Sequence, residues 1–111
     1  MLRRRWVLKT ITMKTIVLER YVLDSLMVDL VGHDRRPAAF LLYLALTRLV
    51  AGKASAALSL RDLASATGLS RTAVQRAVRH LKRRGLISAR ADGPTAAPRY
   101  AVHRPWVRAR S

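Results

Sequence analysis

Between Ser70 and Arg90 the chain carries seven basic residues, Arg71, Arg76, Arg79, Lys82, Arg83, Arg84 and Arg90, and no acidic one. A merely solvated helix face mixes signs to gain i,i+4 pairs and avoid self-repulsion, so an unmixed run points to an anionic partner. Arginine presents a planar fork that pairs two-toothed with phosphate oxygens or a guanine edge, and glutamine has the matching donor and acceptor for adenine. Thr72 and Gln75 lie among these cations. The chemistry available here is recognition of a polyanion with some capacity to read its bases.

Composition bounds the alternatives. The 111 residues hold 22 Lys and Arg against 6 Asp and Glu, a formal charge of +16, and 18 of the cations are Arg. Such an excess fits nucleic acid or an anionic surface. The charge is uneven, +6 over residues 1–58 and +10 over 59–111. Half of the residues are apolar, as in a folded domain, and the length suits one core with short extensions. With no Cys, disulfides, zinc ribbons and thiol catalysis are excluded. The start Met1-Leu2-Arg3-Arg4-Arg5 is followed by an apolar stretch cut by Lys9 and Lys14, and Phe40 to Val50 contains Arg48. Neither a signal peptide nor a membrane span is therefore expected, and a cytoplasmic, nucleoid-associated protein fits.

The elements that position the basic run are well punctuated. Ser59 is an N-cap with Asp62 as capping-box partner, and Leu58 can staple onto Leu63. Ser70 opens a second helix with Leu69 and Val74 as its staple. Helices are expected over 60–67, ending at Gly68, and 71–84, ending at Gly85. Placing Val74, Ala77, Val78 and Leu81 in the core leaves Arg71, Thr72, Gln75, Arg76, Arg79, Lys82 and Arg83 on the opposite face. A hairpin is expected beyond, with strands over 86–90 and 99–103 and a tip at 91–98. Upstream, 21–31 reads as a helix stopped by Gly32, and Pro37 opens an apolar helix running to about Ala51, a core helix, a dimer helix or both. Residues 6–18 read as a strand or extended arm.

The segment Leu60 to Arg79 resembles the helix-turn-helix of bacterial DNA-binding proteins: Leu63 and the small Ala64 in the first helix, Gly68 in the turn, Leu69 and Val74 packing the second helix back. Leu81-Lys82-Arg83-Arg84-Gly85-Leu86-Ile87 resembles the junction into the wing of winged-helix proteins. The resemblance covers residues 58–103. It implies a mostly α fold with a small β-wing, a winged helix-turn-helix of three core helices and a β-hairpin, with an extra N-terminal helix. The expected layout is an arm or strand over 1–20, the domain over 21–104 with helix-turn-helix 59–85 and wing 86–103, and a basic tail over 105–111.

The resemblance also implies a function: sequence-specific binding of double-stranded DNA, as in transcriptional regulators. In such motifs the front of the second helix enters the major groove. Arg71, Thr72, Gln75 and Arg76 would then meet base edges, with Ser70 a further DNA-binding residue at the helix start; Arg79, Lys82 and Arg83 would meet phosphates, and Arg90 and Arg99 would flank the wing tip near the minor groove or backbone. With on the order of 6 to 10 phosphate contacts, affinity should fall roughly a thousandfold between 50 and 200 mM salt. A homodimer through the apolar helices 21–31 and 37–51 would double the site.

Alternatives are a replication-initiator module, which the Leu23-Asp24-Ser25-Leu26-Met27 pattern ahead of a long helix also resembles, a non-specific architectural protein, and a protein-interaction winged helix. His33, His80 and His103 are isolated, so no metal is expected, and no catalytic pair, phosphate loop, cofactor or small-molecule ligand is indicated. Trp6 and Trp106 read as anchors of the termini, with stacking on bases the alternative. Arg3, Arg4 and Arg5 read equally as a minor-groove arm or a solubilising end.

Overall fold

The computed structural model describes residues 15–107. Arg3 to Trp6 and most of the expected N-terminal strand lie outside them. Residues 15–19 form no strand and run as irregular chain into the first helix.

Four helices and three short strands follow. Helix α1 occupies residues 20–33 and winds as two π-helical stretches, Val22–Leu26 and Val28–His33. Helix α2 is Pro37–Val50, strand β1 Ala56–Ala57, helix α3 Leu60–Thr67, helix α4 Arg71–Arg83, and strands β2 and β3 are Ile87–Arg90 and Arg99–Val102. The strands form one antiparallel sheet in the order β1-β3-β2.

Gly32 does not stop α1, contrary to the sequence expectation. The helix passes through it to His33, and the left-handed residue is Arg35, with φ of 55°. Two backbone bonds close the end: the Asp34 N–H donates to the Asp29 carbonyl and the Arg36 N–H to the Leu30 carbonyl, each at 2.8 Å. The chain turns there because Pro37 must start α2, and these bonds hold Arg35 where a glycine is usual. The four-residue spacing of Val22, Leu26 and Leu30 keeps one face of α1 on the core.

Helix α2 is the central core helix. Ala39, Phe40, Leu42, Tyr43, Leu46 and Val50 are buried along it, and Leu41 is its one large apolar residue left well exposed. Leu63 of α3 and Val74, Ala77 and Leu81 of α4 pack into the same cluster, with Leu86 just before β2 and Ile87 and Tyr100 from the sheet. The sheet has one strand more than the expected hairpin. Ala56 pairs with Tyr100 and Ala57 with Arg99, an edge too short and too poor in β-branched residues to show as a strand in sequence.

The α3–α4 turn is built as its residues require. The Asp62 N–H donates to Ser59 Oγ at 3.0 Å and the Ser59 N–H donates back to Asp62 Oδ2 at 2.8 Å, a complete capping box that holds the Asp62 carboxyl below the usual carboxylate range. Gly68 adopts φ of 78°, and a Cβ built there would meet nothing within 4 Å. Gly68→Ala therefore meets conformational strain without a clash, and is expected to cost about 1–2 kcal/mol in urea unfolding at unchanged m-value. No loss would show that the turn relaxes out of the left-handed region.

Candidate nucleic-acid interface

Helix α4 divides into a dry and a wet side. Ser70 caps it, its Oγ accepting the Ala73 N–H at 3.1 Å, without the reciprocal half of a capping box because residue 73 is alanine. Val74, Ala77 and Leu81 are buried and Val78 is partly so. Arg71, Thr72, Gln75, Arg76, Arg79, Lys82 and Arg83 are all exposed on the other side. Among the described residues none of the five cations in this set is in an ion pair. The surface is thus a continuous positive face without internal compensation.

Arg84, the next cation along, behaves differently. Its guanidinium donates to Asp29 of α1 and reaches Asp34 Oδ1 at 3.4 Å. Asp34 also meets His80 Nε2 at 2.7 Å and His33 Nδ1 at 3.0 Å. The carboxylate can only accept, so the His80 Nε2 carries the proton between them. The hydrogen bond with His33 is the main reason the Asp34 carboxyl sits below its ordinary range; burial pushes the other way, and His80 and Arg84 add to the lowering. This network ties the back of α4 to the α1–α2 turn. The donor atoms of Asp29, His33 and Asp34 lie within 4.8 Å of one another. Arg84 contacts both carboxylates and His80 one of them, so the group belongs to the network that ties α4 to α1.

The wing brings Arg90 and Arg99 directly opposite each other in the β2–β3 register. Like charges in that position repel. Arg99 Nε donates to Ser55 Oγ at 3.0 Å, which draws its head towards the chain before β1, while Arg90 is exposed. Trp106 packs against the core end of the molecule: its ring stacks on Tyr21 at 4.6 Å and tilts against Tyr43 at 6.3 Å.

Sequence reasoning missed Arg36. It sits at the N-cap of α2 and lines a cleft of about 350 Å³ with Arg76, Arg79, His80 and Arg83. Forty residues separate it from Arg76, and no local pattern connects them.

Among the described residues no helix is long and apolar enough to cross a membrane. Residues 43–96 match the model of the MarR family, winged-helix transcription regulators, a span from the middle of α2 into the wing loop and just under half of the chain. No curated protein and no solved structure matches the chain. The match supports a winged-helix transcription regulator. Together with the capped α3, the left-handed turn at Gly68, the exposed face of α4 and the antiparallel wing, it makes this chain a winged helix-turn-helix protein.

Proposed function

We propose that the protein is a sequence-specific double-stranded DNA-binding regulator of transcription, acting as a homodimer in the cytoplasm. The observation that carries this reading is the α4 face, exposed and free of carboxylates along its length. Arg71, Thr72 and Gln75, at the front of the helix behind the Ser70 cap, meet base edges in the major groove; the cations further along and the Arg90–Arg99 pair of the wing meet backbone. The folded DNA-binding unit corresponds to residues 21–104.

The dimer rests on α1. Leu23, Met27 and Val31 recur every four residues on its outer side, and with Val28 they are 46%, 37%, 38% and 62% exposed. A stripe of that kind on a chain otherwise well packed marks a protein contact. A second copy is the occupant that fits, because two reading heads double a site that a single short helix reads only in part. Leu41 of α2 is exposed as well, in a separate groove with Leu44 and Ala66.

Selection from a pool of random duplexes at about 150 mM salt, where exposed charges are screened beyond about 8 Å, tests the reading. An enriched motif is expected, arranged as an inverted repeat with half-site centres one helical turn apart, roughly 34–36 Å. Gln75→Ala should relax the preference at one position of each half-site, at a cost of about 1–3 kcal/mol against the best sequence. Retention without any enriched motif would defeat the specific-reader proposal and leave an architectural protein. No retention at all would leave a protein-interaction module.

A further inference from the structure

We infer that the cleft between the N-terminal end of α2 and the side of α4 is a subsite for one phosphate group, and that on DNA it holds a backbone phosphodiester. This deepens the proposed DNA contact by assigning it a residue outside the helix-turn-helix, Arg36, and by giving Arg76 a role other than base reading.

The cleft is lined by Arg36, Arg76, Arg79, His80 and Arg83 and encloses about 350 Å³. None of the four arginines is in an ion pair among the described residues. Carboxylates are available nearby, and the fold spends them elsewhere: Asp29 and Asp34 take Arg84 and His80 from the back. Four guanidiniums converging on one cleft repel one another until an anion enters. A tetrahedral oxyanion offers several acceptors to planar forks arriving from different directions, which a base edge does not.

Helical spacing separates this stripe from the base-reading one. At about 100° per residue, Arg71, Gln75 and Lys82 share one line along α4, whereas Arg76, Arg83 and His80 lie further round, on the side of α2. Thr72 and Arg79 fall between the two. A helix seated in the major groove presents its leading line to the bases and its flank to the sugar-phosphate wall. Arg36 reaches that flank from a different element. His80 forms the rear of the cleft, its ring fixed by the 2.7 Å bond to Asp34, so the site is backed by a pinned side chain.

The test is the salt dependence of binding by the full chain to several duplexes of unrelated sequence, for the unaltered protein, Arg36→Ala, Arg76→Ala and, as a control, Arg20→Ala. Arg20 is paired with Asp24 on α1, away from the cleft. Each cleft variant should lower the slope of log K against log salt by about 0.9, equivalent to about a threefold to fourfold change in the affinity ratio between 50 and 200 mM, by the same amount on every sequence. Arg20→Ala should leave the slope unchanged. In the second arm, inorganic phosphate is titrated into the free protein at constant ionic strength and followed by ³¹P line broadening. Saturable broadening that Arg36→Ala abolishes supports the subsite.

An unchanged slope in Arg36→Ala overturns the backbone-phosphate assignment. If phosphate nevertheless binds, the cleft serves a free anion instead. An Arg76→Ala effect confined to particular base pairs returns that residue to base reading and also overturns the proposal. Should the random-duplex selection yield no motif while the slope still falls, the sequence-reading proposal fails and the phosphate subsite stands. Melting temperatures of the variants separate these results from misfolding, and since each cleft variant relieves repulsion, none should melt lower.

Discussion

Tyr43→Ala is expected to destabilise the fold by about 3–5 kcal/mol, the range for removing a large aromatic from a packed core. Tyr43 is 1% exposed at the middle of α2, and it joins three parts of the molecule. Its ring meets Trp106, which stacks on Tyr21 at the start of α1. Its hydroxyl donates to the His103 carbonyl at 2.9 Å, just past the end of β3. Tyr43→Phe keeps the ring and removes only that donor, so it should cost about 1 kcal/mol. Urea unfolding of the two variants separates packing from hydrogen bonding. Equal losses would mean that the bond to the wing, not the cavity, dominates.

The same residue predicts an alkaline limb. Burial, aided by Glu19 and opposed by Arg104, pushes the Tyr43 phenol up to about 12. The unfolded value is about 10, so the folded state holds its proton more tightly. The stability this contributes is complete below about pH 10 and is lost as pH rises through the folded value. Tyr43→Phe should flatten that limb. An unchanged alkaline profile would assign it to Tyr100, whose phenol is also raised by burial.

The second large effect is expected at Asp34, whose side chain is 8% exposed and meets His80, itself 12% exposed. Asp34→Ala removes the acceptor of His80 and one of the two that neutralise Arg84, and should cost roughly 2–4 kcal/mol, the range for losing one partner of a largely buried charged contact. Because the folded carboxyl is held below its ordinary value of about 3.9, its stabilisation is complete above that pH and is lost as pH falls through the folded value. His33, His80 and Arg84 all face this carboxylate, and Asp29 shares Arg84 with it. Unfolding free energies measured at pH 7 and between pH 2 and 5 should converge for the variant and the unaltered protein at the acid end. A constant difference at every pH would show that Asp34 acts through its turn geometry alone. In DNA binding the variant should read the same bases more weakly, since the network orients the rear of α4 and touches none of its exposed face.

Local chemistry determined a good part of this protein. The Ser59 and Ser70 caps, Gly68 and Gly85, and the alternation of Val74, Ala77 and Leu81 with arginines specify α3, the turn and α4 by interactions spanning no more than a turn or two of chain, and residues 60–67 and 71–83 are helical accordingly. Periodicity alone also assigned the exposed face. What depends on distant residues was not legible. Gly32 looked like a helix end because Gly often is one; the helix runs on to His33 and the chain reverses at Arg35, because hydrogen bonds from Asp34 and Arg36 and the start of α2 at Pro37 require the reversal there. Ala56–Ala57 became a strand only because β3 offers it an edge. His80 and Asp34, read singly, were unremarkable residues 46 positions apart, and packing of α4 against the α1–α2 turn made them a pair. Arg36 joined Arg76, Arg79 and Arg83 for the same reason. The residue types along α4 thus follow from sequence; which of its cations are neutralised and which are left to gather around an anion is set by where the tertiary fold places the few carboxylates.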